Sequence, residues 1–158
     1  MNSRKILLDA LNHRSTQRIP LDFDGTPCSG MHVTCVAALR EYYGLEKRPV
    51  KVCEPFQMLG QIDEDLKQII GVDTEPVRSR NTFFGFPNEN WREYRLDNGL
   101  EVLVPEKFTT TTDSAGKHYI YPQGDINAEP SGKMPKDGFY FDAIIRQQPF
   151  AEEELDPL

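Results

Sequence analysis

The sequence predicts an α/β fold, and three observations support that class. Helix-like and strand-like apolar patterns alternate through roughly the first half of the 158-residue chain. Pairs of short strand-like segments flank turn sequences in the second half. A content of 38% apolar and 27% charged residues is typical of a chain that folds around a core.

A helix, a strand and a second helix are predicted at the start of the chain. Ser3 can cap a short first helix, and segment 18–23 (RIPLDF) is typical of a strand. The second helix is expected to stop at Gly44, since glycine adopts the left-handed conformation that ends helices. The apolar face predicted for this second helix comprises Cys35, Val36, Leu39, Tyr42 and Tyr43.

The alternation of helices and strands continues beyond the second helix. Segment 50–53 (VKVC) predicts a second strand. Glu54-Pro55 favours the start of a third helix that ends at Gly71, since proline suits the first helical turn. Segment 72–77 is then a candidate third strand. Helices between strands imply parallel strands joined by right-handed crossovers.

Two hairpins are predicted in the second half of the chain. Segments 91–96 and 100–104 flank Asp97-Asn98-Gly99, a typical hairpin turn, and segments 108–112 and 117–121 form a second pair. We interpret the hairpins as an antiparallel insertion. The chain is therefore expected to be a single partial domain over 1–158, divided into 1–80 (first helix and βα units), 81–138 (the insertion) and 139–158 (the start of a next segment, with an acidic tail).

Composition excludes several functional classes. The net charge is −7 and no basic run stands out, which argues against nucleic-acid binding. No stretch approaches the roughly 20 apolar residues that span a membrane, and the first residues lack the apolar core of a secretion signal. With three cysteines and no paired pattern, we expect reduced thiols in a cytoplasmic protein.

Candidate ligand-binding residues follow the first two predicted strands, because sites in parallel α/β proteins form where strands end. The alternative is local structure: a turn at Asp24-Gly25, a cap at Ser29 and helix-start chemistry at Glu54. The predicted substrate-binding residues are Asp22, Asp24, Thr26, Ser29, His32, Glu54 and Gln57.

Neither a metal site nor a catalytic group can be assigned from the sequence. Cys28, His32, Cys35 and Cys53 match no zinc-ligand spacing, and we predict no metal ligand. The chain also lacks a glycine-rich phosphate loop and the usual nucleophile motifs. His118 and the hairpin aromatics are expected to be ordinary strand residues.

Several segments together resemble the uroporphyrinogen-decarboxylase-like superfamily. They are RKILLDALNHRSTQRIP from Arg4, LDFDGTPCSGMHV from Leu21, CEPFQMLGQIDEDL from Cys53, YIYPQGD from Tyr119 and SGKMPKDGFYFDAI from Ser131. The resemblance covers nearly the whole chain and depends on the order and spacing of these segments.

The resemblance implies that this chain is the N-terminal part of a (β/α)8 TIM barrel with an inserted antiparallel β-hairpin region. Such barrels take about 250 residues, so the isolated chain is expected to be inactive. The acidic run from Asp22 to Thr26 stands where true decarboxylases carry arginines, which favours the methyltransferase-related branch. The parent protein would then move a methyl group between a small methylated substrate, a corrinoid partner and a thiol. The parent protein would also use zinc. The His-x-Cys pair that binds zinc in that branch has no match in this chain.

Two other interpretations remain open at this stage. The chain can be a non-catalytic association module, or a split subunit completed by a second chain, because its predicted strand edges are exposed. It can also belong to a true uroporphyrinogen decarboxylase of tetrapyrrole biosynthesis.

Overall fold

The computed structural model describes residues 2–147, and this part of the chain has an α+β fold. The helices are α1 (Ser3–Leu11), α2 (Val33–Tyr42) and α3 (Glu64–Ile70). The strands are β1 (Val50–Glu54), β2 (Leu59–Gly60), β3 (Arg92–Arg95), β4 (Glu101–Val104), β5 (Thr110–Thr112), β6 (His118–Ile120), β7 (Gly132–Met134) and β8 (Asp142–Ala143). Short 3-10 turns lie at Pro27–Ser29 and Pro122–Gly124.

The strands form two four-stranded sheets, in the orders β2-β1-β4-β3 and β5-β6-β7-β8. Only β1 and β4 run parallel among the paired strands of residues 2–147, with Val50 opposite Val102. Every other pairing in this region is antiparallel. No helix within residues 2–147 is long and apolar enough to cross a membrane.

The prediction of a (β/α)8 barrel fragment with an inserted hairpin region is wrong. A barrel needs successive parallel strands with a helix after each, whereas residues 2–147 contain one parallel pair and mostly antiparallel strands. The first hairpin, β3–β4, is not an insertion, because β4 pairs directly with β1. The second hairpin, β5–β6, belongs to the other sheet.

Two predicted strands are also absent. Segments 18–23 and 72–77 run as irregular backbone. They touch through Asp73, whose N–H donates to the Leu21 carbonyl at 2.8 Å and whose carboxylate binds both Arg18 and the Leu21 N–H. Pro20 cannot donate to a ladder, so side-chain contacts replace strand pairing here.

The third predicted helix is shorter than its pattern suggested. Glu54 ends β1 and its carboxylate accepts hydrogen bonds from the N–H groups of Phe56 and Gln57, at 2.9 and 2.8 Å. This closes a turn in which Met58 adopts a φ of 54°. The chain then returns as β2 against β1, and α3 begins only at Glu64.

Several local predictions are confirmed. The structure contains α2, β1 and both hairpins close to their predicted positions. Gly44 and Gly71 follow the ends of their helices with φ of 64° and 83°. The apolar face of α2 is only partly as predicted, since Val33, Val36 and Arg40 are buried while Tyr42 is 79% exposed. The acidic tail and the end of the 139–158 segment lie outside the described residues.

One hydrophobic core joins α2 and α3 to both sheets. Its largest side chains are the aromatic rings of Phe86, Phe108 and Phe141, each almost completely buried. Val52 and Val102 contribute from the parallel pair at the centre of the first sheet. The two sheets therefore pack as a single unit around shared side chains.

Candidate functional site

The acidic loop after residue 21 is held together by its own side chains. Asp22 Oδ1 accepts hydrogen bonds from the Gly25 N–H at 3.0 Å and the Thr74 hydroxyl at 2.6 Å. The Thr74 bond is the main reason why the pKa of Asp22 lies below its usual value. The Ser29 hydroxyl accepts a hydrogen bond from the Thr26 N–H and lies 3.2 Å from the Thr26 carbonyl, so it closes the 3-10 turn.

Asp24 is a buried anchor for a distant segment. It is 1% exposed and adopts a φ of 72°. Its carboxylate accepts a hydrogen bond from the Ile62 N–H at 3.2 Å and forms an ion pair with Arg78. Both interactions fix the chain path, and they leave Asp24 little surface on which to bind a ligand.

Glu54 and Gln57 lie on the tight turn between β1 and β2. Glu54 is 8% exposed, and its oxygens are occupied by backbone N–H groups. Gln57 is exposed on the outside of that turn. Within residues 2–147, no hydrogen bond or ion pair joins Glu54 or Gln57 to Asp22 or Asp24.

His32 is the one predicted substrate-binding residue that lines a cleft in the described part of the chain. It precedes α2 and caps it, with Nδ1 accepting a hydrogen bond from the Thr34 N–H at 3.3 Å. Its ring meets Phe139 edge to face at 5.5 Å between centroids. Burial holds the pKa of His32 below its ordinary value, so the ring is neutral at pH 7.

We call this concavity the acidic cleft. It has a volume of about 230 Å³ and opens between the first hairpin, the β6–β7 face and the loop that follows β7. Its lining residues are His32, Thr34, Met58, Tyr94, Leu96, Asp97, Asn98, Phe108, His118, Met134, Asp137, Gly138 and Phe139.

Asp97 joins three segments at one end of the acidic cleft. It lies in the turn between β3 and β4, and Oδ2 is 2.8 Å from His118 Nε2 on β6. The same oxygen accepts a hydrogen bond from the Asp137 N–H at 3.1 Å. The His118 bond is the main cause of the lowered pKa of Asp97, which keeps this carboxylate ionised at neutral pH.

A threonine extends this contact but does not form a catalytic triad. Thr112 Oγ1 lies 3.1 Å from His118 Nδ1, so both ring nitrogens are engaged. These two residues are direct cross-strand partners of β5 and β6. Facing pairs of this kind are expected to touch for packing alone, so we interpret His118 as a structural residue.

The electrostatics of the acidic cleft favour a positive ligand. Asp97 and Asp137 supply carboxylates, and no lysine or arginine in residues 2–147 lines the cleft itself. Lys136, next to Asp137, is close enough to Asp97 to help lower its pKa, so one cation lies beside the two carboxylates. Tyr94, Phe108 and Phe139 add aromatic rings. Ring faces attract cations, and the effect is strongest where water is excluded.

No family model, curated protein or solved structure matches the chain.

Metal binding finds no support in the geometry of the described part. No group of three or more His, Cys, Asp or Glu side chains within residues 2–147 converges as metal ligands do. Cys28 and Cys35 are exposed and Cys53 is buried.

Most of the acidic cleft was missed by sequence reasoning. Asp97 was recognised as a turn residue and His118 as a strand residue, and both assignments are correct. Their proximity depends on how one hairpin packs against the other sheet. No short motif predicts that packing. Of the cleft-lining residues, only His32 was predicted from the sequence to bind substrate.

Proposed function

We propose that this chain is a binding module for a small methylated ammonium ion, which it holds in the acidic cleft. The observation that carries the proposal is the combination of two carboxylates and three aromatic rings in a lining that, within residues 2–147, contains no lysine or arginine. Methylated ammonium groups are recognised by this chemistry, since their charge is spread over methyl surfaces that pack on aromatic rings.

The position of the individual groups supports this assignment. Phe108 is 1% exposed and provides an apolar floor, while Phe139 is 62% exposed at the rim. Met58 and Met134 are buried in the core beneath the cleft, where thioether side chains pack adaptably against methyl groups. Asp97, held ionised by His118, supplies negative charge at one end.

The size of the acidic cleft limits the ligand. A volume of about 230 Å³ lies below the roughly 300–1,000 Å³ of drug-sized sites. A compound of a few heavy atoms, such as a tri- or tetramethylated amine, is therefore the appropriate class.

Calorimetric titration with tetramethylammonium chloride tests the proposal. We expect saturable binding to the wild-type chain, weakened about tenfold in Asp137→Asn and several-fold in Phe139→Ala. Glu101→Gln, which removes a carboxylate of similar exposure away from the cleft, serves as the matched control. Equal binding by the wild-type chain and both cleft variants would exclude this site, as would equal binding of the neutral compound tert-butanol.

A methyl-transferring parent protein with a corrinoid partner and zinc stays a prediction from the sequence, as does a cytoplasmic location. That prediction includes a small methylated substrate, and the chemistry of the acidic cleft suits such a compound. The split-subunit and decarboxylase interpretations are not favoured by any particular contact in residues 2–147.

A further inference from the structure

The turn of the first hairpin contains Asn98-Gly99, the only asparagine-glycine pair in the 158-residue sequence. Asn98 also lines the acidic cleft. Asparagine is a chemically labile residue, and a following glycine makes it more so. Glycine has no Cβ, so its backbone nitrogen can approach the asparagine side chain without steric hindrance. A reaction in this turn would therefore change the charge of the cleft.

The hydrogen bonds of the turn prepare the Asn98 side chain for such a reaction. The Leu100 N–H donates to Asn98 Oδ1 at 3.0 Å, an arrangement that is common for asparagine in turns. The bond folds the side chain back toward the peptide that follows it. It also polarises the side-chain carbonyl, as hydrogen-bond donors do at carbonyl groups that undergo attack.

The reacting atoms lie at the open tip of the hairpin. Asn98 and Gly99 are both exposed, and a Cβ added at Gly99 would have no atom within 4 Å apart from its chain neighbours. The Gly99 N–H donates to the Leu96 carbonyl at 2.8 Å, and this bond must open before the nitrogen can attack. Because the tip is exposed, local opening there disrupts no buried contact.

The other two pairs of this type in the sequence, Asp24-Gly25 and Asp137-Gly138, contain aspartate. An ionised carboxylate resists attack because it is negatively charged, and it has no ammonia to release. Asp24 is also 1% exposed and is held by the Ile62 N–H and by Arg78. Asn98-Gly99 is therefore the pair at which the reaction is expected.

We propose that Asn98 is a deamidation site whose reaction adds a carboxylate to the acidic cleft. The Gly99 nitrogen bonds to Asn98 Cγ, the Cγ–Nδ2 bond breaks, and the Gly99 proton leaves with the departing nitrogen as ammonia. Water then adds to one of the two carbonyl carbons of the cyclic succinimide and opens it to aspartate or isoaspartate. One water is consumed and one ammonia is released, with no oxidation or reduction.

The aspartate product makes the acidic cleft more negative. Asp97 and Asp137 already line it, with Lys136 beside them, and residue 98 becomes a third carboxylate. This consequence rests on the proposed function: a methylated cation should bind the aspartate product about threefold more tightly, the effect of one exposed charge in water. The isoaspartate product has a longer turn backbone, so it is expected to disturb the hairpin instead.

Peptide mass spectrometry of the full chain during incubation at pH 8 and 37 °C tests the proposal. We expect the mass gain of amide-to-acid exchange at Asn98, with part of the product labelled by an isoaspartate-specific methyltransferase. Asn127, an exposed asparagine followed by Ala128, is the control within the same chain and should react far more slowly. In Asn98→Gln, ring closure would need a larger ring, so position 98 should stay unchanged. No gain at Asn98, or a gain no faster than at Asn127, would overturn the proposal.

Calorimetric titration of Asn98→Asp with tetramethylammonium tests the effect on the cleft. We expect binding about threefold tighter than to Asn98→Gln, which keeps a neutral amide. Equal affinity of the two variants would overturn the effect on the cleft while leaving wild-type binding intact. If the wild-type chain does not bind tetramethylammonium, the proposed function fails, whereas the mass gain at Asn98 still decides whether the residue deamidates.

Discussion

His118 Nε2 lies 2.8 Å from Asp97 Oδ2, and this contact joins the second sheet to the turn of the first hairpin. Because Asp97 also accepts a hydrogen bond from the Asp137 N–H, one carboxylate sets the spacing between the walls of the acidic cleft. The contact therefore links the stability of the fold to the shape of the candidate site.

Replacement of Asp97 tests that link. Asp97→Asn should lower the free energy of unfolding by about 1–2 kcal/mol, because two charge-assisted hydrogen bonds become neutral. Urea denaturation at pH 7 measures the change. Glu101→Gln, at an exposed ion pair, should cost less than about 0.5 kcal/mol. If Asp97→Asn lowers the free energy of unfolding no more than Glu101→Gln does, the contact between Asp97 and His118 does not stabilise the fold.

The same contact predicts a dependence on pH. Since the pKa of Asp97 is lowered in the folded chain, its contribution is present above the ordinary aspartate value and is lost as the pH falls through the folded pKa. The difference in stability between wild type and Asp97→Asn should therefore shrink below about pH 4. Denaturation at pH 7, 5 and 3 measures it, and a difference that does not change with pH would contradict this origin.

The ion pair between the buried Asp24 and the partly exposed Arg78 predicts a larger effect. Asp24→Asn keeps the shape and tolerates the φ of 72°, but it removes the anion that binds the Arg78 guanidinium. Because the Arg78 side chain is 31% exposed and stays partly hydrated, we expect a loss of about 2 kcal/mol in the free energy of unfolding. Asp9→Asn, which weakens pairs with two exposed cations, Lys5 and Arg14, is the control and should cost less than about 1 kcal/mol. Similar stability of the two variants would refute the anchoring role.

A side chain added at Gly60 is expected to clash with α2, which packs against β2 at this point. A Cβ at this position would lie 2.9 Å from Val33 Cα and 3.0 Å from side-chain atoms of Val36 and Val50. Gly60→Ala should cost about 2 kcal/mol by overpacking. A Cβ added at Gly44 would have no atom within 4 Å. Gly44→Ala should therefore cost only the strain of a positive φ, about 1 kcal/mol. Thermal denaturation ranks the two variants, and the reverse order would show that the contact relaxes freely.

Local signals explain which elements the sequence predicts well. The turn at Asp97-Asn98-Gly99 and the glycine after α2 act within a few residues, so the first hairpin and α2 are correct. The strands expected at 18–23 and 72–77 are absent because strand formation depends on partners that the sequence does not reveal. The parallel pairing of β1 with β4 joins segments about 50 residues apart, and no pattern indicated it.

The error at Glu54 has a specific cause. Glu54-Pro55 followed by apolar residues is typical of a helix start, but the carboxylate caps the turn at Phe56 and Gln57 instead. β2 then satisfies the edge of β1. The Glu54 carboxylate could start a helix or close a turn, and it closes the turn. Segment 50–60 is therefore a β1–β2 hairpin and not the predicted βα unit, which is one reason why the barrel prediction is wrong.

NMR chemical-shift mapping with tetramethylammonium tests most directly whether the acidic cleft binds a methylated cation. We expect saturable shifts concentrated at His32, Asp97 and Phe139, with magnetisation transfer between ligand methyl protons and the Phe139 ring. Shifts spread over exposed carboxylates such as Glu101, without saturation and without contacts to the aromatic rings, would contradict it.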